Sequence, residues 1–145
     1  MIYFGALHCA WSNQPHADRL LESIKLRLSD VALNRGWTFE AVGVALDWNP
    51  DDGIAHLRSL GKFDEIATGY NWANGFAIQY FGDRLPGPKA TPQILVVRRT
   101  LVVPDFVHTF NFKTAHESIV ARANGVVAIR RWMRAGMPLL SSGMR

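Results

Sequence analysis

Two short apolar runs, Ile2–Leu7 and Phe39–Leu46, flank one amphipathic stretch, and this pattern constrains the chain more than any other feature in it. Gly5 and the polar Ser12-Asn13-Gln14 bound the first run, and turn residues bound the second. A run without polar alternation suits a strand covered on both faces, which points to central, parallel strands. Between the runs, Ala17, Leu20, Leu21, Ile24, Leu28 and Val31 recur at helical spacing. Pro15 suits the first turn of that helix, and Asn34-Arg35-Gly36 suits its stop. The unit is strand, helix, strand, and its crossover is expected to be right-handed.

A second helix is signalled by Asn49 as cap, Pro50 at the first position and Asp51-Asp52 at the positive end of the dipole. Its buried face reads Ile54, Leu57 and Leu60, and Gly61 ends it. Residues 63–81 are less regular, with a short helix over Phe76, Ile78, Tyr80 and Phe81. Tyr70, Trp72, Phe76, Tyr80 and Phe81 read as core, the alternative being the lining of a groove beside the loop to Pro92. A loop with three prolines follows from Gly82 to Pro92, and Gln93–Val97 is a third strand. Leu101–Phe112, containing Pro104, reads as a hairpin arm or an edge insertion. Glu117–Arg122 reads as a strand, although Thr114 with Glu117 would also suit a capping box. Asn124 then caps a last helix, Val126–Ala135, that buries Val126, Ile129 and Trp132 or Met133 before Gly136 and Pro138. The expectation is one α/β domain over 1–145: a mixed sheet of four to five strands, helices on both faces, and an insertion around 101–116.

With 48% hydrophobic and 19% charged residues, the chain is neither a disordered tail nor a coiled coil. One cysteine, Cys9, excludes an intrachain disulfide scaffold. The 16 basic residues exceed the 12 acidic ones, but no basic run is longer than two. Nucleic-acid binding wants a clustered stripe, so a solvated basic surface fits better, with Arg130, Arg131 and Arg134 the place to look otherwise. No nucleic-acid partner is expected. No stretch reaches the ~20 apolar residues of a membrane span, so no membrane partner is expected for this chain. If Met1 is the native start, the location is cytoplasmic; if a signal or anchor was removed ahead of it, periplasmic. Five histidines without ligand spacing give no metal site.

Chemistry concentrates at Cys9, which lies between the first strand and the first helix. Unpaired N–H groups and the dipole of a helix start favour a thiolate, the nucleophilic form. His8 is a cationic neighbour in the making, and Ser12 brings a hydroxyl near the sulfur. The competing reading is a buried structural cysteine. Thr91-Pro92 opens a strand, where a proline is tolerated sterically or stands as a cis bond.

These residues resemble a thioredoxin-like protein, nearest the TlpA/ResA-type thiol–disulfide oxidoreductases. The family's apolar strand ending in F-W-A-x-W-C-x-x-C resembles Phe4-Gly5-Ala6-Leu7-His8-Cys9-Ala10-Trp11-Ser12, with Pro15 following. Its V-G-V-x-x-D strand resembles Val42-Gly43-Val44-Ala45-Leu46-Asp47. Its T-P loop resembles Thr91-Pro92 ahead of Gln93–Val97, and its glycine before the last helix resembles Gly125. The resemblance implies Cys9 as attacking thiolate, Ser12 as its hydrogen-bond partner, and Thr91, Pro92, Trp11 and His8 around a disulfide substrate, protein or small molecule. Ser12 stands where the family has its second cysteine, so the mixed disulfide must be released by an external thiol such as glutathione. No other cofactor is implied. The alternative is a redox-inactive module that binds a partner in the groove next to Thr91-Pro92. No oligomeric state is implied.

Overall fold

The computed structural model describes residues 1–81, 85, 88–102 and 113–141, with residues 113–115 as backbone only. The strands are β1 (Ile2–Gly5), β2 (Val42–Ala45), β3 (Glu65–Ala67), β4 (Gln93–Val102) and β5 (Lys113–Asn124). The helices are α1 (Ala17–Leu33), α2 (Pro50–Ser59), α3 (Gly75–Phe81) and α4 (Gly125–Arg134), with a 3-10 turn at Asn71–Ala73. One mixed sheet runs β3-β2-β1-β4-β5. Its first three strands are mutually parallel, with Ile2 opposite Val42 and Val42 opposite Glu65. β4 is antiparallel to β1, and β5 to β4. The α/β class and the mixed sheet expected from the sequence at four to five strands are present, here with five among the described residues, and the order is compatible with a thioredoxin-like α/β fold.

Alternation along β1 sorts the core. Ile2 and Phe4 point to one face with Val42, Val44, Leu95 and the α3 residues Ala77, Tyr80 and Phe81. Phe81 meets the Phe4 ring edge-on at 4.4 Å between centroids, an arrangement worth about 1 kcal/mol beyond burial. Tyr3 points to the other face, where Leu21, Ile24 and Leu28 of α1, Leu57 of α2 and Ile129 of α4 close over the sheet. The helices therefore flank both faces, three against one. Gly43 gives α2 its close seat: a Cβ there would come within 3.0 Å of Leu57 Cδ2, and within 2.9 Å of the Phe63 ring beyond the helix.

Five local readings are corrected. β3 was not foreseen: it is three residues long and mostly exposed, too short for a period to register. α1 starts at Ala17 rather than Pro15, because His16 takes a left-handed conformation with φ 65° that interrupts the helix. The buried face of α2 is Gly53, His56 and Leu57 rather than one led by Ile54. Asn124 makes no side-chain cap; its Nδ2 instead donates to the Pro88 carbonyl at 2.9 Å. β4 and β5 are also longer than Gln93–Val97 and Glu117–Arg122, so 101–102 and 113–116 are hairpin arms. The middle of the expected insertion, 103–112, lies outside the described residues.

Candidate functional site

The chain leaves β1 at Gly5 and turns sharply. The Cys9 N–H donates to the Ala6 carbonyl at 3.2 Å, and the Ser12 and Asn13 N–H groups return to the Cys9 carbonyl at 2.9 and 3.2 Å. This is one helical turn that is not continued into α1. The Asn13 side chain holds it, its Nδ2 donating to the carbonyls of Ala6, Leu7 and Cys9 at 3.1, 2.6 and 2.8 Å. The buried Asp47 carboxylate at the end of β2 ties down the same loop by accepting from the Leu7 N–H at 3.1 and 3.2 Å.

Cys9 is half-buried on this turn. Its thiol donates to the Thr91 carbonyl at 3.6 Å, across the gap to a Thr91–Pro92 bond that is cis. The expected juxtaposition of Cys9 with Thr91 is therefore met over a sequence separation of 82 residues. Partial burial pushes the Cys9 thiol up. The Ser12 hydroxyl dipole, Thr91, and the Ser12 and Trp11 N–H groups favour the thiolate and outweigh it, and the net direction is down. Those N–H groups belong to the turn, not to α1, which starts eight residues on; the expected dipole of the first helix is replaced by this local cradle.

Ser12 is 1% exposed, and its Oγ makes no hydrogen bond in the resting geometry, although Cys9 and Tyr3 both lie within its influence. His8 is exposed, its Nε2 3.4 Å from an Asp52 carboxylate oxygen. Trp11 is 65% exposed. Two hollows meet at the Thr91-Pro92 turn. One holds Cys9, His8, Asp47, Trp48, Trp72 and Thr91. The other is an apolar groove between α1 and α4 lined by Trp11, Ser12, Pro92, Val126, Ile129 and Arg130. The aromatic set expected as core divides accordingly: Tyr80 and Phe81 are buried, while Tyr70 and Trp72 stay exposed.

Sequence reading passed over Tyr3, Asn13 and His56. His56 is fully buried on α2, its Nε2 3.3 Å from the Tyr3 hydroxyl and its Nδ1 3.2 Å from Asn13 Oδ1. The available signal was helical spacing, because Gly53, His56, Leu57 and Leu60 form one stripe. Among the described residues no group of three His, Cys, Asp or Glu side chains could hold a metal, and no helix is long and apolar enough to cross a membrane. Comparison with protein-family models, curated proteins and solved structures finds no match to this chain.

Proposed function

We propose that the protein carries out thiol–disulfide exchange through Cys9 as a single attacking thiol, in the manner of a monothiol thioredoxin-like protein. The observation that carries this is the half-buried Cys9 sulfur, 3.6 Å from the Thr91 carbonyl, on the wall of an open hollow. The thiolate attacks one sulfur of a disulfide, forms Cys9–S–S–R and releases the other sulfur as a thiolate. Ser12 cannot open that bond, so an external thiol such as glutathione attacks it, takes R as a new disulfide and returns Cys9 as thiolate. Thr91, Pro92 and Trp11 supply the walls against which the substrate, a protein or a small disulfide, lies.

The test is the rate of iodoacetamide alkylation against pH. The expected midpoint lies below the free thiol value of about 8.5. A midpoint at or above that value, or an inert thiol, overturns the reading. The exposed Trp11 beside the apolar groove supports a second reading, partner binding without a redox step. Cys9→Ser separates the two: it abolishes exchange, while docking of a thiol-free peptide in the groove survives.

A further inference from the structure

The Cys9 turn is closed by the side-chain amide of Asn13, and the two ends of that amide can be told apart without seeing a hydrogen. The backbone carbonyls of Ala6, Leu7 and Cys9 surround one end, so that end is the donor nitrogen, and Oδ1 faces His56 Nδ1 at 3.2 Å. Burial pushes the His56 ring below its ordinary value, against the pull of the Asp47 carboxylate, so at neutral pH one ring nitrogen carries a proton and the other a lone pair. An amide oxygen only accepts, so the proton sits on Nδ1 and is donated to Asn13 Oδ1. The lone pair is then on Nε2, and the Tyr3 hydroxyl donates to it at 3.3 Å. The fully buried ring is thus held at both nitrogens, by β1 through Tyr3 and by the turn through Asn13. Gly5 leaves room for this, since a Cβ there would lie 2.5 Å from His56 Nε2 and nearer still to the Tyr3 oxygen.

We infer, resting on the proposed exchange reaction, that His56 is a positioning residue for Cys9: through Asn13 it fixes which way the amide that closes the Cys9 turn points. An amide turned over would set its oxygen against three carbonyl oxygens and its nitrogen against the Nδ1 proton, so both ends of the contact would be lost at once. Asn13 is itself exposed, and water competes for the same carbonyls. The donor that selects one orientation therefore has to come from the core, and His56 Nδ1 supplies it. The turn converges on the Cys9 carbonyl, which receives the Ser12 and Asn13 N–H groups at 2.9 and 3.2 Å as well as Asn13 Nδ2 at 2.8 Å. With that carbonyl fixed, the sulfur stands 3.6 Å from the Thr91 carbonyl and beside the turn N–H groups that favour its thiolate. The Asp47 carboxylate anchors the loop separately, on the Leu7 N–H, and leaves the amide to His56.

Two amide substitutions separate this role from packing. Asparagine puts an amide nitrogen where His56 Nδ1 stands, whereas glutamine puts one where Nε2 stands and leaves no donor at Nδ1. His56→Gln should therefore raise the midpoint of Cys9 alkylation against pH by about one unit, which slows the reaction at neutral pH by up to about tenfold. His56→Asn should keep the midpoint close to that of the unmutated chain. A ring that only fills space predicts the reverse order, because glutamine is the larger of the two. In an Asn13→Ala background His56→Gln should add nothing, since its route to Cys9 is already cut. A midpoint that ignores His56→Gln, follows side-chain volume, or moves further in the Asn13→Ala background overturns the inference. If the substituted chains do not fold, nitrogen-15 NMR of the unmutated chain decides: the Nδ1–H tautomer of His56 supports the inference, and the Nε2–H tautomer overturns it. A reactive Cys9 indifferent to His56 sinks the positioning role alone. An inert Cys9 in the unmutated chain sinks the exchange reading beneath it.

Discussion

Two polar networks on opposite faces of the sheet, one beside Tyr80 and one beside Cys9, end in opposite ways. On the α3 face, the polar atoms end on arginines: Arg99 donates to the Tyr80 hydroxyl at 2.6 Å, and Arg122 to the Gln93 side chain at 2.5 Å. On the Cys9 face they end on a neutral histidine and a hydroxyl with no partner. A satisfied network can be fully explained as structure, whereas an unsatisfied one beside a nucleophile asks for a use. The contrast begins with neighbours in β1, where Phe4 packs on a ring and Tyr3 carries a hydroxyl inward.

The largest effect expected from this contrast is on stability alone. Phe4→Ala removes a fully buried ring from the α3 face and should cost about 3–5 kcal/mol in chemical denaturation. The folded fraction should keep the Cys9 alkylation midpoint of the unmutated chain; a shifted midpoint would show that the faces are not independent. Gly5→Ala, on the Cys9 face, overpacks a buried site where a Cβ would meet the Tyr3 and His56 rings, and should cost about 1–3 kcal/mol. It should also shift the Cys9 midpoint by displacing His56, which holds Asn13 and through it the Cys9 turn. A stability loss with an unmoved midpoint would count against the coupling. Tyr80→Phe should cost about 1 kcal/mol and leave Cys9 untouched, since Arg99 keeps Glu117 at 2.6 Å.

Much of the fold was legible because local signals agree with it. The runs around Phe4 and Val44 are buried on both faces, and Asn49-Pro50 caps α2 as its residues dictate, Asn49 Oδ1 accepting from the Asp51 N–H at 3.0 Å. Cys9, Ser12 and Thr91 were legible as residue types. Their meeting was legible only through the resemblance, because it depends on a turn held by Asn13 and Asp47 through contacts with no sequence period. The same holds for β3, whose pairing with β2 is decided by the parallel register and not by its own three residues. His56 stayed hidden because a lone histidine in an apolar stripe looks like any core residue until its two partners are known.

The smallest expected effect is in pH, and it too divides the faces. Burial depresses the His56 ring below its ordinary value of 6.5. On acidification the unfolded chain therefore takes up this proton first, and the native state takes it up only at lower pH. The unfolded state binds more protons in that window, so the contribution of His56 to stability is whole above 6.5 and falls away below it. Urea midpoints at pH 8 and pH 5 should drop further for the unmutated chain than for His56→Gln, which has no proton to gain. Tyr80→Phe, on the opposite face, should keep the full drop. Equal drops for the unmutated chain and His56→Gln would mean that the ring charges as readily in the core as in water, and the neutral acceptor that sets the Cys9 face apart would be lost with it.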